Sequence, residues 1–133
     1  MPLPQVGGGY QYTDGNLNEV VLTVQGAPGA TTATSVTLTA AELTGGLYTS
    51  TNASVVAITL PTAALTDTLL ANAKVNSAFE IVFINLGSAS GAITVTAGTG
   101  WTIVGSATVA ITTSARYLAR KTGDAAYTLY RIA

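Results

Sequence analysis

Short apolar runs that alternate with threonine and stop at a glycine within a few residues limit most strongly what this chain can fold into. Over residues 35–40, Val36 and Leu38 share one side of an extended segment and Thr37 and Thr39 the other; over 55–60, Val56, Ile58 and Leu60 share a side. Period-two alternation marks a strand with one buried face, and β-branched threonine suits a pleated surface better than a helix. Residues 79–86 are apolar on both sides, with Phe79, Ile81 and Phe83 against Val82 and Ile84, which predicts the most buried strand of the set. Further strands are expected at 18–25, 92–97, 101–104, 107–112, 115–120 and 126–132. Between the later ones, Gly98-Thr99-Gly100, Gly105-Ser106 and Lys121-Thr122-Gly123-Asp124 read as hairpin-type turns. The pattern predicts an all-β single domain over residues 18–133, a β-sandwich or jelly-roll.

Two segments depart from it. Residues 1–17 read as an extended N-terminal arm: Pro2 and Pro4 favour extended backbone, and Gly7 to Gly9 offer nothing to pack. Tyr10 and Tyr12 fall on one side of that arm and are placed to anchor it on a neighbouring surface. Residues 62–72 follow Leu60-Pro61 and carry Leu65 and Leu69 four positions apart among Ala63, Ala64 and Ala71. Proline is well placed at a helix start, so one short helix is expected there, closing an end of the domain.

Composition excludes most chemistry. The 133 residues contain no histidine and no cysteine, which removes the usual general base, the commonest metal ligand and any thiolate nucleophile or disulfide. The six acids do not cluster in sequence, no Ser stands in a Gly-x-Ser-x-Gly elbow, and Gly7-Gly8-Gly9 lacks the Gly-Lys-Ser/Thr ending of a phosphate loop. No catalytic residue, metal site or cofactor is therefore expected. Glu80, set inside the most apolar run, is the one carboxylate whose burial would matter; otherwise it faces solvent or pairs with Lys74 or an arginine. No apolar run approaches the roughly 20 residues of a membrane-spanning helix, and the first residues lack the basic and apolar regions of a secretory signal.

Charge is scarce and uneven. Charged residues make up 8% of the chain, against about 25% in an average soluble domain, and the net charge is −1. Near-zero net charge favours association, which predicts a subunit covered by its neighbours. Four of the five basic residues, Arg116, Arg120, Lys121 and Arg131, lie in the last predicted hairpin. Arg116, Leu118 and Arg120 share one strand face, with Ala115, Tyr117 and Ala119 opposite. These bases form either a docking patch for an acidic partner or a solvated face that pairs with the upstream acids. Four bases without a longer run give little support to nucleic-acid binding.

The second half carries recognisable phrasing: Leu60-Pro61-Thr62-Ala63-Ala64, Phe79-Glu80-Ile81-Val82-Phe83-Ile84-Asn85, Ala97-Gly98-Thr99-Gly100-Trp101-Thr102-Ile103-Val104-Gly105, and the ending from Ala115-Arg116-Tyr117 to Tyr130-Arg131-Ile132. Over about residues 35–132 it resembles small Ala/Thr/Gly-rich structural proteins of tailed bacteriophages and cyanophages, including capsid decoration (cement) proteins and fibre-like appendages. The resemblance implies a homotrimeric β-sandwich subunit on the outer capsid surface, with the major capsid protein as partner, tying neighbouring capsomers together. It transfers no functional residue position by position. Two alternatives stand beside it: a head- or tail-fibre module that binds a host surface, and a carbohydrate-binding module using Trp101, Tyr117, Tyr127 and Tyr130.

Overall fold

Among the described residues the alternation is realised as ten strands in two sheets. The structure, a computed structural model, describes residues 22–133. The expected arm at 1–17, with Tyr10 and Tyr12, lies outside the described residues. In chain order the elements are β1 (Gly29–Thr31), β2 (Ser35–Thr37), α1 (Ala40–Thr44), β3 (Leu47–Ser50), β4 (Val56–Thr59), α2 (Ala63–Leu69), β5 (Ala78–Asn85), β6 (Ile93–Thr96), β7 (Trp101–Val104), β8 (Thr108–Val109), β9 (Ser114–Gly123) and β10 (Ala126–Arg131). One sheet has six strands in the order β1-β3-β5-β9-β10-β7, the other four in the order β2-β4-β6-β8.

The chain visits the two sheets in turn. β1, β3 and β5 stack in parallel in the larger sheet, while β2, β4 and β6 stack in parallel in the smaller one. Residues β1 to β6 thus make three turns of a two-sheet winding. β8 then closes the smaller sheet antiparallel to β6, and β9 closes the winding of the larger sheet antiparallel to β5. β10 folds back on β9, and β7 completes the sheet in parallel beside β10. Of the three expected hairpin turns, only Lys121-Thr122-Gly123-Asp124 joins antiparallel neighbours. Gly98-Thr99-Gly100 and Gly105-Ser106 carry the chain from one sheet to the other. Alternation fixes which face of a strand is buried, but it carries no information about which strand lies alongside.

Both sheets bury their inner faces in one apolar cluster. Leu38, Val56, Ile58, Ile93, Val95 and Val109 come from the smaller sheet and its margins; Tyr48, Ile81, Phe83, Tyr117, Ala119, Tyr127 and Leu129 come from the larger. Phe83 sits edge-on to both Tyr48 and Tyr117, with centroids 6.3 and 5.8 Å away, so three adjacent strands are keyed together by interlocking rings. β5 pairs on both sides and has Ile81 and Phe83 fully buried on its inner face, but Val82 and Ile84 on the outer face are only half-buried, so its doubly apolar sequence is enclosed on one side alone.

The two helices are the connections from the smaller sheet back to the larger, and they pack against each other at one end of the winding. α1 was not evident from the strand pattern. It starts at a capping box: Thr39 Oγ1 accepts from the Glu42 amide at 3.1 Å, and the Glu42 carboxylate accepts from the Thr39 amide at 3.0 Å. α2 begins where expected, with Thr62 as its N-cap, but it is turned over relative to the leucine spacing. Ala63 and Thr66 are buried, while Leu65 and Leu69 are 58% and 50% exposed. The cause is the close approach of the β6–β7 turn, where Gly100 has φ +87° and a Cβ on it would lie 2.7 Å from that of Ala63. Only a small side chain fits beneath this helix.

The expected strand at 18–25 does not form over its described part. Leu22–Gln25 has no ladder partner, and Leu22 and Val24 are 82% and 100% exposed. Pairing starts only at Gly29, where a Cβ would collide with the Tyr48 ring at 2.6 Å, so a bare backbone is needed to lie against β3.

Candidate interaction surface

The strand alternation divides the four C-terminal bases into two pairs with different duties. Ala115, Tyr117 and Ala119 of β9 are buried, and Arg116, Leu118 and Arg120 lie on the opposite, outer face, as the sequence predicts. Two residues further on, the same alternation turns Lys121 inward. It is 7% exposed, and its Nζ is 2.9 Å from Asp67 Oδ1 on α2. Arg131 is likewise on the inner side of β10, at the other end of the hairpin. It donates to the Thr108 carbonyl at 2.8 Å and the Ala133 carbonyl at 2.7 Å, with its guanidinium 5.5 Å from the Tyr117 ring centre. Lys121 is buried and Arg131 half-buried, and each clamps one end of the two-sheet packing.

Asp67 is the hub of the first clamp. Besides Lys121, it accepts from the Tyr127 hydroxyl at 2.7 Å and the Ala125 amide at 2.6 Å. The hydrogen bonds from Lys121, Tyr127 and Ala125 hold its carboxyl at about 2, below the usual 3.8. Burial, reinforced by the Asp67 charge, pushes the Tyr127 hydroxyl well above its usual value. Tyr127 also stacks on Trp101, with centroids 5.0 Å apart. The Lys121–Asp67 contact is the only ion pair among the described residues. One of the four bases thus pairs with an upstream acid, but inside the molecule and not on a solvated face.

The outer face of the six-stranded sheet is built from cross-strand rows. One row runs Leu47–Val82–Arg116, with Ile132 beside Arg116. The next runs Glu80–Leu118–Tyr130–Val104. The rows flanking them are Thr49–Ile84–Ser114 and Ala78–Arg120–Thr128–Thr102. Leu47, Val82, Ile84, Leu118 and Tyr130 are half-buried by one another, and Val104 and Ile132 are each 47% exposed. Arg120 is held in place on this face. It donates to Asn76 Oδ1 at 2.8 Å and to the Tyr130 hydroxyl at 3.0 and 3.2 Å. The Arg116 and Glu80 side chains make no hydrogen bond or ion pair among the described residues.

The outer face of the four-stranded sheet has another chemistry. Its rows are Ser35–Ala57–Thr94–Thr108 and Thr37–Thr59–Thr96. Hydroxyls replace the apolar groups almost throughout.

Other candidates resolve by position. Glu80 is exposed at the outer face of β5. Trp101, Tyr117 and Tyr127 are buried, leaving Tyr130 as the only ring of that quartet at the surface. A shallow cleft of about 390 Å³ is lined by Ile84, Asn85, Leu86, Thr112, Thr113 and Ser114, none of which ionises near neutral pH. The described residues contain no group of three acids that could hold a metal ion, and no helix among them is long and apolar enough to cross a membrane. The chain matches no family model, no curated protein and no solved structure.

Proposed function

We propose that this chain is a non-enzymatic structural subunit of a phage virion, a two-sheet, sandwich-like decoration protein that binds the outer capsid surface and braces neighbouring capsomers. The observation that carries the assembly part of this reading is the outer face of the six-stranded sheet. Leu47, Val82, Leu118, Tyr130, Val104 and Ile132 form a band there that no described residue covers. A chain with 8% charged residues has little else to keep such a face apart from other proteins. The exposed, strand-patterned Leu22 and Val24 add a second apolar feature that no described residue covers. The capsid, the major capsid protein as partner and the homotrimer come from the resemblance of the second half to phage decoration proteins.

A second reading, a fibre module, draws support from the parallel winding of β1 to β6, whose short first turn has no further strand beside it among the described residues. One preparation separates the two. Decoration predicts co-purification with intact capsids in fixed stoichiometry and density at regular positions on the shell in electron micrographs. Density confined to an appendage would favour the fibre, and absence from purified particles would overturn both.

A further inference from the structure

We propose that the outer face of the six-stranded sheet is a self-association surface, occupied by the same face of another copy of this chain. The proposal rests on the assembly reading above and adds the identity of the occupant; a face that meets its own copy makes a two-fold pair, in place of the three-fold contact that the resemblance implies.

This face combines an apolar frame with charges that complement one another. Among the described residues the face carries three ionic groups, Glu80 on β5 and Arg116 and Arg120 on β9. Val82 is paired with Arg116 and Ala78 with Arg120, so Glu80, opposite Leu118, is a diagonal neighbour of both arginines. Within one chain neither arginine forms an ion pair with it. Arg120 is already engaged by Asn76 and Tyr130. Arg116 and Glu80 therefore remain as one cation and one anion on the same apolar face, each without an ionic partner among the described residues. Such a face is complementary to itself: when two copies meet, Glu80 of one can reach Arg116 of the other, and apolar band lies on apolar band.

Other occupants fit less well. An acidic protein surface or a nucleic acid would match Arg116 but would meet Glu80 as a like charge. A purely apolar partner would bury both ionic groups unpaired, which is costly. Area agrees with a modest self-contact. Six strands about 4.8 Å apart, carrying four side-chain rows about 7 Å apart, present on the order of 600 Å², somewhat below the roughly 800 Å² per partner of a standard interface. Association through this face alone is thus expected to depend on concentration. The hydroxyl-covered face of the smaller sheet provides an internal control, having the same pleat without the apolar band or the charges.

The test measures the solution mass of the full chain by analytical ultracentrifugation across a concentration series, with circular dichroism to confirm folding. Wild type is expected to exceed monomer mass increasingly with concentration. Glu80→Arg and Arg116→Glu should each weaken association about tenfold or more, and the double exchange Glu80→Arg with Arg116→Glu should restore it. Leu118→Asp should leave a folded monomer, and Thr96→Asp on the other sheet should change nothing. A wild type that stays monomeric at every concentration overturns the proposal, as does a double exchange no better than either single variant. Binding of each variant to purified capsids separates the two readings. A monomeric wild type that still decorates capsids defeats only self-association, whereas an associating wild type that never binds capsids defeats only the decoration role.

Discussion

The two outward faces of this molecule share a pleat, a core and a chain, yet they are finished differently. The smaller sheet presents Thr37, Thr59, Thr94, Thr96 and Thr108, whose hydroxyls water can satisfy; the larger presents Leu47, Val82, Leu118, Tyr130 and Val104 around three ionic groups. Both patterns alternate with period two, and both bury the other face in the same core. The difference shows that alternation specifies the inner face, whereas what the outer positions carry decides whether a sheet ends in solvent or against a partner.

The contrast presumes that the inner faces alone hold the monomer together. Phe83→Ala removes the ring that touches Tyr48 and Tyr117, and it should cost about 4 kcal/mol in denaturant unfolding. Asp67→Asn leaves the Lys121 ammonium covered without its counter-charge and should cost about 3 kcal/mol at neutral pH. The same residue sets an acid limb. Because folding lowers the Asp67 carboxyl from 3.8 to about 2, its contribution is complete above about pH 4 and disappears as pH falls through about 2. Unfolding midpoints followed over that window should fall less in Asp67→Asn than in wild type.

Giving the larger sheet the finish of the smaller comes next. Leu118→Thr with Val104→Thr should change monomer stability by about 1 kcal/mol while removing most of the self-association. The reverse exchange, Thr94→Val with Thr96→Val, should alter unfolding by no more than about 0.5 kcal/mol but make the protein more prone to associate through its smaller sheet. Light scattering alongside thermal unfolding reads both effects.

How much of this was legible beforehand differs from element to element. The strands at 101–104 and 126–132 follow from local alternation, the strand at 79–86 from its continuous apolar run, and the α2 start from Pro61-Thr62. The sheet-switching winding was not legible, since parallel and antiparallel neighbours impose the same local pattern. α1 had a readable signal in Thr39-Ala40-Ala41-Glu42, a capping box, which the threonine-rich alternation around it obscured. Leu65 and Leu69 suggested the wrong buried face for α2, because the choice is made by the Gly100 turn pressing on Ala63 from far along the chain. Lys121 could have been placed inward by extending the Ala115, Tyr117, Ala119 series two residues. Its partner Asp67 could not, because that contact exists only once the helix is docked. The Arg116–Leu118–Arg120 face was legible in full, but the Leu47, Val82, Tyr130 and Val104 that join it come from four other strands.

The central claim is that the larger sheet's outer face is the one that becomes covered. Hydroxyl-radical footprinting of the full chain, at concentrations below and above its self-association, reads this directly. The account predicts that Leu118, Tyr130, Val104 and Ile132 lose reactivity on association, while Thr94, Thr96 and Thr108 keep theirs. Unchanged labelling of the first group, or protection of the second instead, would contradict it.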